Sequence, residues 1–459
     1  MQKLPSPIQS LMRHVYGVVP VRFRLGKEYI ELRRFLQEAQ WWDRERIETW
    51  QLMRLKEIVK HAYENVPGYR ALCHDKGVKP EDIQTLGDIR LLPFMTKELI
   101  RDNFKDFVAQ NLDLNKCRYV TTGGSTGIPV GFYHTAVNVW MENAFMHSGW
   151  ERAGWKLGET SAVLRGAFVG SEERFWSYDP VWKELLLSTY YLTERTYRVY
   201  LDKILTFRPQ NLQAYPSAAT MLADLVLENG DIGRLNFKII FLGSENIYNW
   251  QKEKLRQAFP YSRLFGWYGH TEQAVLAHWC EYSETYHIWP FYGFVEVLDE
   301  AGSEVEEGKT GEIVATSFWN FATPFIRYRT MDIARKGKYG CQACGRQFLL
   351  LEDVEGRLQE MIVTAQGRYI SMTAINIHSD VFDNVRQFQF YQDTPGKVIL
   401  KIVPKETYSA QDAEKIYQEI KKKLGEDMDL ELMLVAEIPR TQRGKARFLE
   451  QRLKLRYGE

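Results

Sequence analysis

Residues 120–134 read VTTGGSTGIPVGFYH. Gly123, Gly124 and Gly127 allow a tight backbone whose N–H groups can converge on an anion. Thr121, Thr122, Ser125 and Thr126 add hydroxyl donors to the same short span. A strand-like RYVTT precedes the loop and a helix-like TAVNVWMENAFMHSGW follows it. A P-loop NTPase carries Gly-Lys-Ser/Thr at its end, whereas Ile128 follows Gly127 here, which rejects that reading. Taken alone, the stretch is either a phosphate cradle or an ordinary glycine turn, and the rest of the chain has to decide.

The totals set the frame. A chain of 459 residues is too long for one hydrophobic core, so two or three domains are expected. Hydrophobic residues make up 45% and charged residues 26%, as in an ordinary globular protein. The formal net charge of +1 leaves no broad footprint for nucleic acid or an anionic membrane. No apolar run approaches the ~20 residues of a membrane span. The stretch MQKLPSPIQSLMRHVYGVVPVRF lacks the apolar core and small-residue cleavage site of a signal peptide, and a cytoplasmic location is expected. Five cysteines are too few for a disulfide framework, so their spacing carries more meaning than their number.

Along the chain, residues 44–65 place Leu52, Leu55, Ile58, Val59 and Ala62 at helical spacing, and VPGYR ends that helix. Residues 80–107 read as short helices broken at Pro93, with Thr96 as an N-cap. From about 118 to 355, strand-like runs (SAVLRGAFV, KIIFLGS, SRLFGWYG, YGFVEVLD, GEIVATSF) alternate with helical stretches such as NWQKEKLRQAF. That alternation predicts an α/β architecture with mostly parallel sheets. Near 356 the pattern changes to α+β: strands RQFQFYQ and KVILKIV, an amphipathic helix SAQDAEKIYQEIKKKL, a strand ELMLVAEI and a basic tail. The expected division is a large domain over 1–356, with a mainly helical lead-in over 1–110, and a small domain over 357–459.

Five further motifs follow the glycine-rich loop in order: GSE (243–245), YGHTEQ (268–273), FIRYRTMD (325–332), EGRLQE (355–360) and PRTQRGK (439–445). The series resembles the adenylate-forming superfamily of acyl-CoA synthetases and adenylation domains. The segment NVPGYRALCHDKGVKPEDIQTLGDIRLLPFMTKELIRDNF is similar to the phenylacetate–CoA ligase family. The lead-in with paired Trp41 and Trp42 resembles the branch found in capsular-polysaccharide biosynthesis.

The resemblance implies an ATP-dependent, AMP-forming acid ligase. A carboxylic acid is joined to the α-phosphate of ATP, pyrophosphate leaves, and the acyl group passes to CoA. It implies that Thr121, Thr122, Gly123, Gly124, Ser125, Thr126 and Gly127 wrap the β- and γ-phosphates. Tyr268 and Gly269 belong to the adenine site, as do Ser244 and Glu245. Thr271 touches the α-phosphate and Glu272 holds Mg²⁺, a hard cation suited to carboxylate and phosphate oxygens. Asp332 grips the ribose hydroxyls, for which two acceptor-rich oxygens are suited. Arg357 lies near ribose and phosphates. Lys445 on the small domain is the catalytic lysine, stabilising charge that builds in the transition state. That domain swings about Gln359 between the two half-reactions. The chain departs from the family pattern at Met331, where a glycine is usual, and at Gln359–Glu360, Met372 and Asn376.

A second constellation is CQAC (341–344). Two intervening residues let both thiolates reach one tetrahedral ion. Upstream, CEYSETYH offers Cys280 and His287, completing a Cys₃His set expected to hold structural Zn²⁺, with His278 a rival ligand. A redox pair and two plain buried thiols are the other readings of CxxC. For the acyl group, LQAYPSAATML (212–222) resembles the segment lining the substrate pocket, with Tyr215 and Ser217 as candidates. Aromatic residues near the motifs, Phe132 and Trp267, suit an aryl or flat acid. The acceptor stays open between CoA and an amine, an amino sugar or a carrier-protein thiol. Nucleotidyl transfer, a nucleotide-binding scaffold without catalysis, and a homodimer also stay open.

Overall fold

Residues 44–65 form a helix because Asp43 caps it, accepting from the Arg46 N–H at 2.8 Å, and because Ile47, Leu55, Ile58, Val59 and Ala62 share one buried face. Leu52, expected on that face, is only half-buried. The chain turns at Val66 and restarts at once as the helix Pro67–Lys76, with proline in the first turn where its missing N–H costs nothing. Thr96 caps the helix Lys97–Asp102 as expected, accepting from the Leu99 N–H at 3.2 Å.

The structure is a computed structural model. It describes residues 13, 15–19, 24–122, 130–165, 174–357, 360–367, 369–372, 375, 379–382, 384–440 and 447–453. These fall into two compact units, one drawn from 20–157 and 265–354, the other from 1–19, 158–264 and 355–456.

In the first unit the strands run in the order Gly293–Leu298, Thr310–Ser317, Tyr328–Tyr339, Leu349–Arg357, Tyr286–Ile288, Leu276–Trp279, Arg263–Gly269. The pairings Gly293–Leu298 with Thr310–Ser317, Thr310–Ser317 with Tyr328–Tyr339, and Tyr286–Ile288 with both Leu276–Trp279 and Leu349–Arg357 are antiparallel. The helix Ala136–Arg152 belongs to this unit, as does a separate hairpin of Arg118–Thr121 with Gly131–His134. Phe132 lies at the centre of that hairpin's core contact, fully buried edge-on to Phe325. It is part of the packing rather than of an exposed aromatic wall.

In the second unit the order is Ile239–Leu242, Asn211–Ala214, Ser161–Leu164, Glu184–Leu187, Trp176–Asp179. The first four are parallel, and only the edge pair Trp176–Asp179 with Glu184–Leu187 is antiparallel. Every residue of Ser161–Leu164, Asn211–Ala214 and Ile239–Leu242 is buried, the pattern of strands covered on both faces. Helices Tyr197–Phe207, Pro216–Glu228 and Asn249–Ala258 supply the cover. The parallel pairing expected from the βα alternation is found here, whereas YGFVEVLD and GEIVATSF, read as part of the same pattern, pair antiparallel in the first unit.

The same unit contains a four-stranded sheet in the order Asp429–Leu434, Lys397–Pro404, Val385–Gln392, Leu449–Gln451. Ser409 caps its helix Ala410–Leu424, which buries Ile416, Ile420 and Leu424. Leu449–Gln451 is a strand beyond the last one expected from sequence, and it pairs in parallel with Val385–Gln392.

Candidate active site and metal centre

The YGHTEQ motif lies between two antiparallel strands, with Tyr268 opposite Ala277 and Trp267 opposite His278. Glu272 is 7% exposed. One of its oxygens accepts from the Tyr328 hydroxyl at 2.9 Å, and the other lies 3.3 Å from His270 Nδ1. Asp332 is 6% exposed and accepts from the Tyr268 hydroxyl at 2.6 Å. Tyr328 and Asp332 come from one strand, Tyr328–Tyr339, so this strand ties both carboxylates to the motif. Thr271 lies half-buried beside Glu272, and Gly269 and Trp267 are likewise half-buried.

A local break in pairing aims Asp332. Arg329 pairs with Val314 and Ile333 with Glu312, so residues 330–332 stand opposite Ile313 alone and bulge out of the ladder. Met331 holds the bulge with φ +63°, a left-handed conformation that glycine adopts without strain. Its N–H donates to Glu312 at 3.0 Å, and the Asp332 N–H donates to Thr330 Oγ1 at 3.1 Å. Methionine thus occupies a backbone conformation that favours glycine, the residue that the resemblance implies there. Gln273, at φ +55°, is held by Asn138, whose amide donates to its side chain at 2.9 Å, and by Ser317, whose hydroxyl donates to its carbonyl at 2.8 Å. Tyr328 lies inside FIRYRTMD but was given no role there, and Asn138 belongs to no motif; only their position across the sheet marks them.

Thr122 closes the hairpin beside the glycine-rich loop. Its N–H donates to the Val130 carbonyl at 2.9 Å, and its hydroxyl accepts from the Val130 N–H at 3.0 Å. Thr121 ends the strand Arg118–Thr121. Gly123, Gly124, Ser125, Thr126 and Gly127 lie outside the described residues.

In the other unit, Tyr215 follows the buried strand Asn211–Ala214 at the N-cap of helix Pro216–Glu228, and its N–H donates to the Leu164 carbonyl at 3.2 Å. Glu245 binds both the N–H and the hydroxyl of Ser217, at 2.9 and 3.0 Å, so the acid of GSE sits at the N-terminus of helix Pro216–Glu228. A carboxylate is favoured there by the helix dipole. Ser244 beside it has φ +66°. In EGRLQE, Gly356 has φ +101°, and a Cβ there would come within 2.0 Å of the Asn246 amide, which donates to the Glu355 carbonyl at 3.2 Å. Met372 is buried in the core of the small sheet. The side chain of Arg357, and Gln359, Asn376 and Lys445, lie outside the described residues.

The cysteine cluster forms in the first unit. Cys280 follows strand Leu276–Trp279, His287 lies on Tyr286–Ile288, and Cys341 and Cys344 follow Tyr328–Tyr339. The Cys280 and Cys341 sulfurs are 3.9 Å apart, Cys344 Sγ is 3.3 Å from His287 Nε2, and all four ligand atoms lie within 4.8 Å of one another. A tetrahedral ion with bonds of about 2.0–2.3 Å sets its ligand atoms roughly 3.5–3.8 Å apart, and the two separations fall on either side of that range, so small side-chain shifts would seat one. His287 Nδ1 is 3.2 Å from the Thr285 carbonyl, which orients Nε2 towards the sulfurs. Burial acts to raise the Cys344 thiol, but bonds to His287 and the Arg346 backbone outweigh it and bring it down to about 6. His278 is not part of the cluster: its Nδ1 accepts from Trp289 Nε1 at 3.0 Å and its ring packs against Gly149. Among the described residues, no helix is long and apolar enough to cross a membrane.

Comparison with known proteins bears on both sites. Residues 362–452 match the family model of the CapK C-terminal domain. The chain is 27% identical over 322 residues to a phenylacetate-coenzyme A ligase of Pseudomonas putida, covering 68% of this chain and 71% of that one. It is 22% identical over 462 residues to Protein CapK of Staphylococcus aureus, covering 98% of both. Among solved structures it resembles 2-hydroxyisobutyryl-CoA ligase in its postadenylation state, with a TM-score of 0.68 and 18% identity over 88% of this chain and 89% of that one. The fold is therefore that of the adenylate-forming CoA ligases.

Proposed function

We propose that this chain is an AMP-forming acid ligase that adenylates a carboxylic acid with ATP and passes the acyl group to CoA. The observation that carries the reading is the pairing of two buried carboxylates with two tyrosines, Asp332 with Tyr268 and Glu272 with Tyr328. Each carboxylate accepts a hydrogen bond from a tyrosine hydroxyl, the kind of fixing that a preorganised site requires. The likeness to phenylacetate-coenzyme A ligases supports the same chemistry.

In this reading Tyr268, Gly269, Ser244 and Glu245 frame adenine, Asp332 takes the ribose hydroxyls, and Arg357 lies by the phosphates. Glu272 is the carboxylate that would hold Mg²⁺, which when bound offsets triphosphate charge. Thr271 orients the α-phosphate. A substrate carboxylate oxygen attacks the α-phosphorus while the bond to pyrophosphate breaks. Lys445 stabilises that charge from a small mobile domain over 357–459. The CoA thiol then attacks the acyl carbon, loses its proton and releases AMP. Tyr215, Ser217 and Trp267 belong to the acyl pocket, and Thr121 to Gly127 to the phosphate loop. Cys280, His287, Cys341 and Cys344 would hold Zn²⁺, bracing the strands that carry Tyr268 and Asp332. The cytoplasm is the compartment this reading assigns.

A second reading keeps the adenylation and changes the acceptor to an amine, an amino sugar or a carrier-protein thiol. Likeness to Protein CapK over 98% of both chains favours it, as do the departures at Met331 and Gln359. Pyrophosphate release, measured with Mg²⁺, ATP and a panel of carboxylic acids, with and without CoA, separates the two. Acid-dependent release accelerated by CoA supports the first; release indifferent to CoA supports the second. No release with any acid overturns both.

A further inference from the structure

Arg152, the last residue of helix Ala136–Arg152, presents a puzzle in charge. The residue is 9% exposed, and none of its three guanidinium nitrogens has a hydrogen-bond partner among the described residues. The guanidinium lies 4.0 Å from the ring centre of Trp289 and 5.4 Å from that of Phe348. Both rings grow from the ligand-bearing segments: Trp289 is two residues past His287, and the Phe348 carbonyl accepts from the Gly340 N–H beside Cys341 at 3.0 Å. Burial pushes the group down to about 9. Arg346 pushes the same way, while Glu281, Cys344 and Cys280 oppose it. Arg346 is itself paired with Glu281, at 2.7 and 2.8 Å, so that pair is neutral as a whole. An isolated buried cation is among the costliest groups a fold can carry.

The cysteine cluster supplies the missing charge once a metal is counted. A divalent zinc with three thiolates and a neutral imidazole has a net charge of about −1. We propose that Arg152 is the built-in counter-cation of this Zn(Cys)₃His complex, neutralising through space an anion that the surrounding rings screen from water. The proposal rests on the zinc reading of the cluster. It goes beyond it by assigning a fifth residue, remote in sequence, to metal affinity. The reason for a guanidinium with no hydrogen-bond partner is then electrostatic: three thiolates around one cation spread their charge, and a cation above the rings answers it without competing for sulfur.

The consequence is a difference between the two states. In metal-loaded protein, removing the cation leaves an uncompensated buried anion. In metal-stripped protein the resident anionic complex is gone, and removing the cation costs less. The test compares wild type, Arg152→Met and Arg152→Lys, each loaded with zinc and each stripped by chelator. Zinc affinity is read by competition with a chromogenic chelator, and melting temperature in both states.

Arg152→Met is expected to weaken zinc binding roughly 10- to 100-fold, in the range of outer-shell substitutions. It should lower the melting temperature of loaded protein more than that of stripped protein. Arg152→Lys, which keeps the charge, should stay closer to wild type in affinity. Equal zinc affinity in wild type and Arg152→Met, or an equal fall in melting temperature in both states, overturns the counter-cation role. Should Arg152→Met not fold, Arg152→Gln against Arg152→Lys carries the affinity comparison, and equal affinities overturn it likewise. Wild-type protein that takes up no zinc removes the metal reading itself and this inference with it, leaving the acid-ligase reading untouched.

Discussion

The two ends of helix Ala136–Arg152 bury polar groups in opposite ways. At the first turn, Asn138 and Gln273 bond to each other, and nearby Tyr328 holds Glu272 and Tyr268 holds Asp332. At the last turn, the Arg152 guanidinium has no hydrogen-bond partner among the described residues, and the sulfurs of Cys280, Cys341 and Cys344 converge on one another and on His287. A site whose ligands come and go must hold its shape between turnovers, so its acids are tied to protein groups. A site for a resident ion can leave its charges to be balanced by that ion. The contrast fits the substrate chemistry proposed for one end and the structural zinc proposed for the other.

The hardest test of that division is Lys445→Ala. It should cut adenylation roughly 10²- to 10³-fold, the scale of losing one transition-state donor, while consumption of a supplied acyl-adenylate falls much less; stopped assays of the two half-reactions distinguish them. Equal losses would break the assignment of Lys445 to the first step. Next, Asp332→Ala should raise KM for ATP on the order of 10- to 100-fold with a smaller change in KM for the acid, as expected when about two hydrogen bonds to a charged group are lost. A change confined to stability would move Asp332 to the structural side of the comparison.

On the other side, Cys341→Ser should abolish stoichiometric zinc and lower unfolding free energy on the order of 3 kcal/mol, measured by metal analysis and denaturant titration. Substantial activity should remain in the protein that stays folded.

Glu142, midway along the same helix, sharpens the picture. Burial pushes its carboxyl up to about 7, despite a hydrogen bond from Tyr292. The folded protein then holds this proton more tightly than the unfolded chain does. Stability from this group is complete at low pH, declines as pH rises from the unfolded value of 4.5 towards 7, and stays reduced above that. Glu142→Gln should therefore stabilise the protein at about pH 8 by on the order of 3 kcal/mol and change little at about pH 4. Denaturant midpoints at the two pH values check the sign. The smallest effect expected is from Met331→Gly: relief of a left-handed methionine, offset by glycine's backbone entropy, should give about 0.5 kcal/mol of added stability.

Much of this was legible in the chain. The order of six motifs pointed to the adenylate-forming fold, and the βα alternation anticipated the parallel strands Ser161–Leu164, Asn211–Ala214 and Ile239–Leu242. CQAC with Cys280 and His287 anticipated the cluster, because two residues between thiols is a local requirement of one tetrahedral ion. Phe132 was misread as a pocket aromatic, since an aromatic in a hairpin can face either way and pairing register settles which. His278 and His287 could not be ranked by spacing; the Trp289 bond and the packing of Gly149 commit His278 elsewhere.

What the sequence determined by itself was therefore the set of chemical groups and their local spacing: the acids of YGHTEQ and RYRTMD, the thiols of CQAC, the strand and helix periods. What only the tertiary structure decided was who meets whom. Tyr328 reaches Glu272 from 56 positions away, and Arg152 comes to rest against Trp289 and Phe348, 137 and 196 positions downstream (289 − 152 and 348 − 152). The reason is physical. Periodicity and motif spacing are short-range and survive in one dimension. Compensation of buried charge depends on distances through a low-dielectric interior, and those are set by how strands pair and where a helix ends.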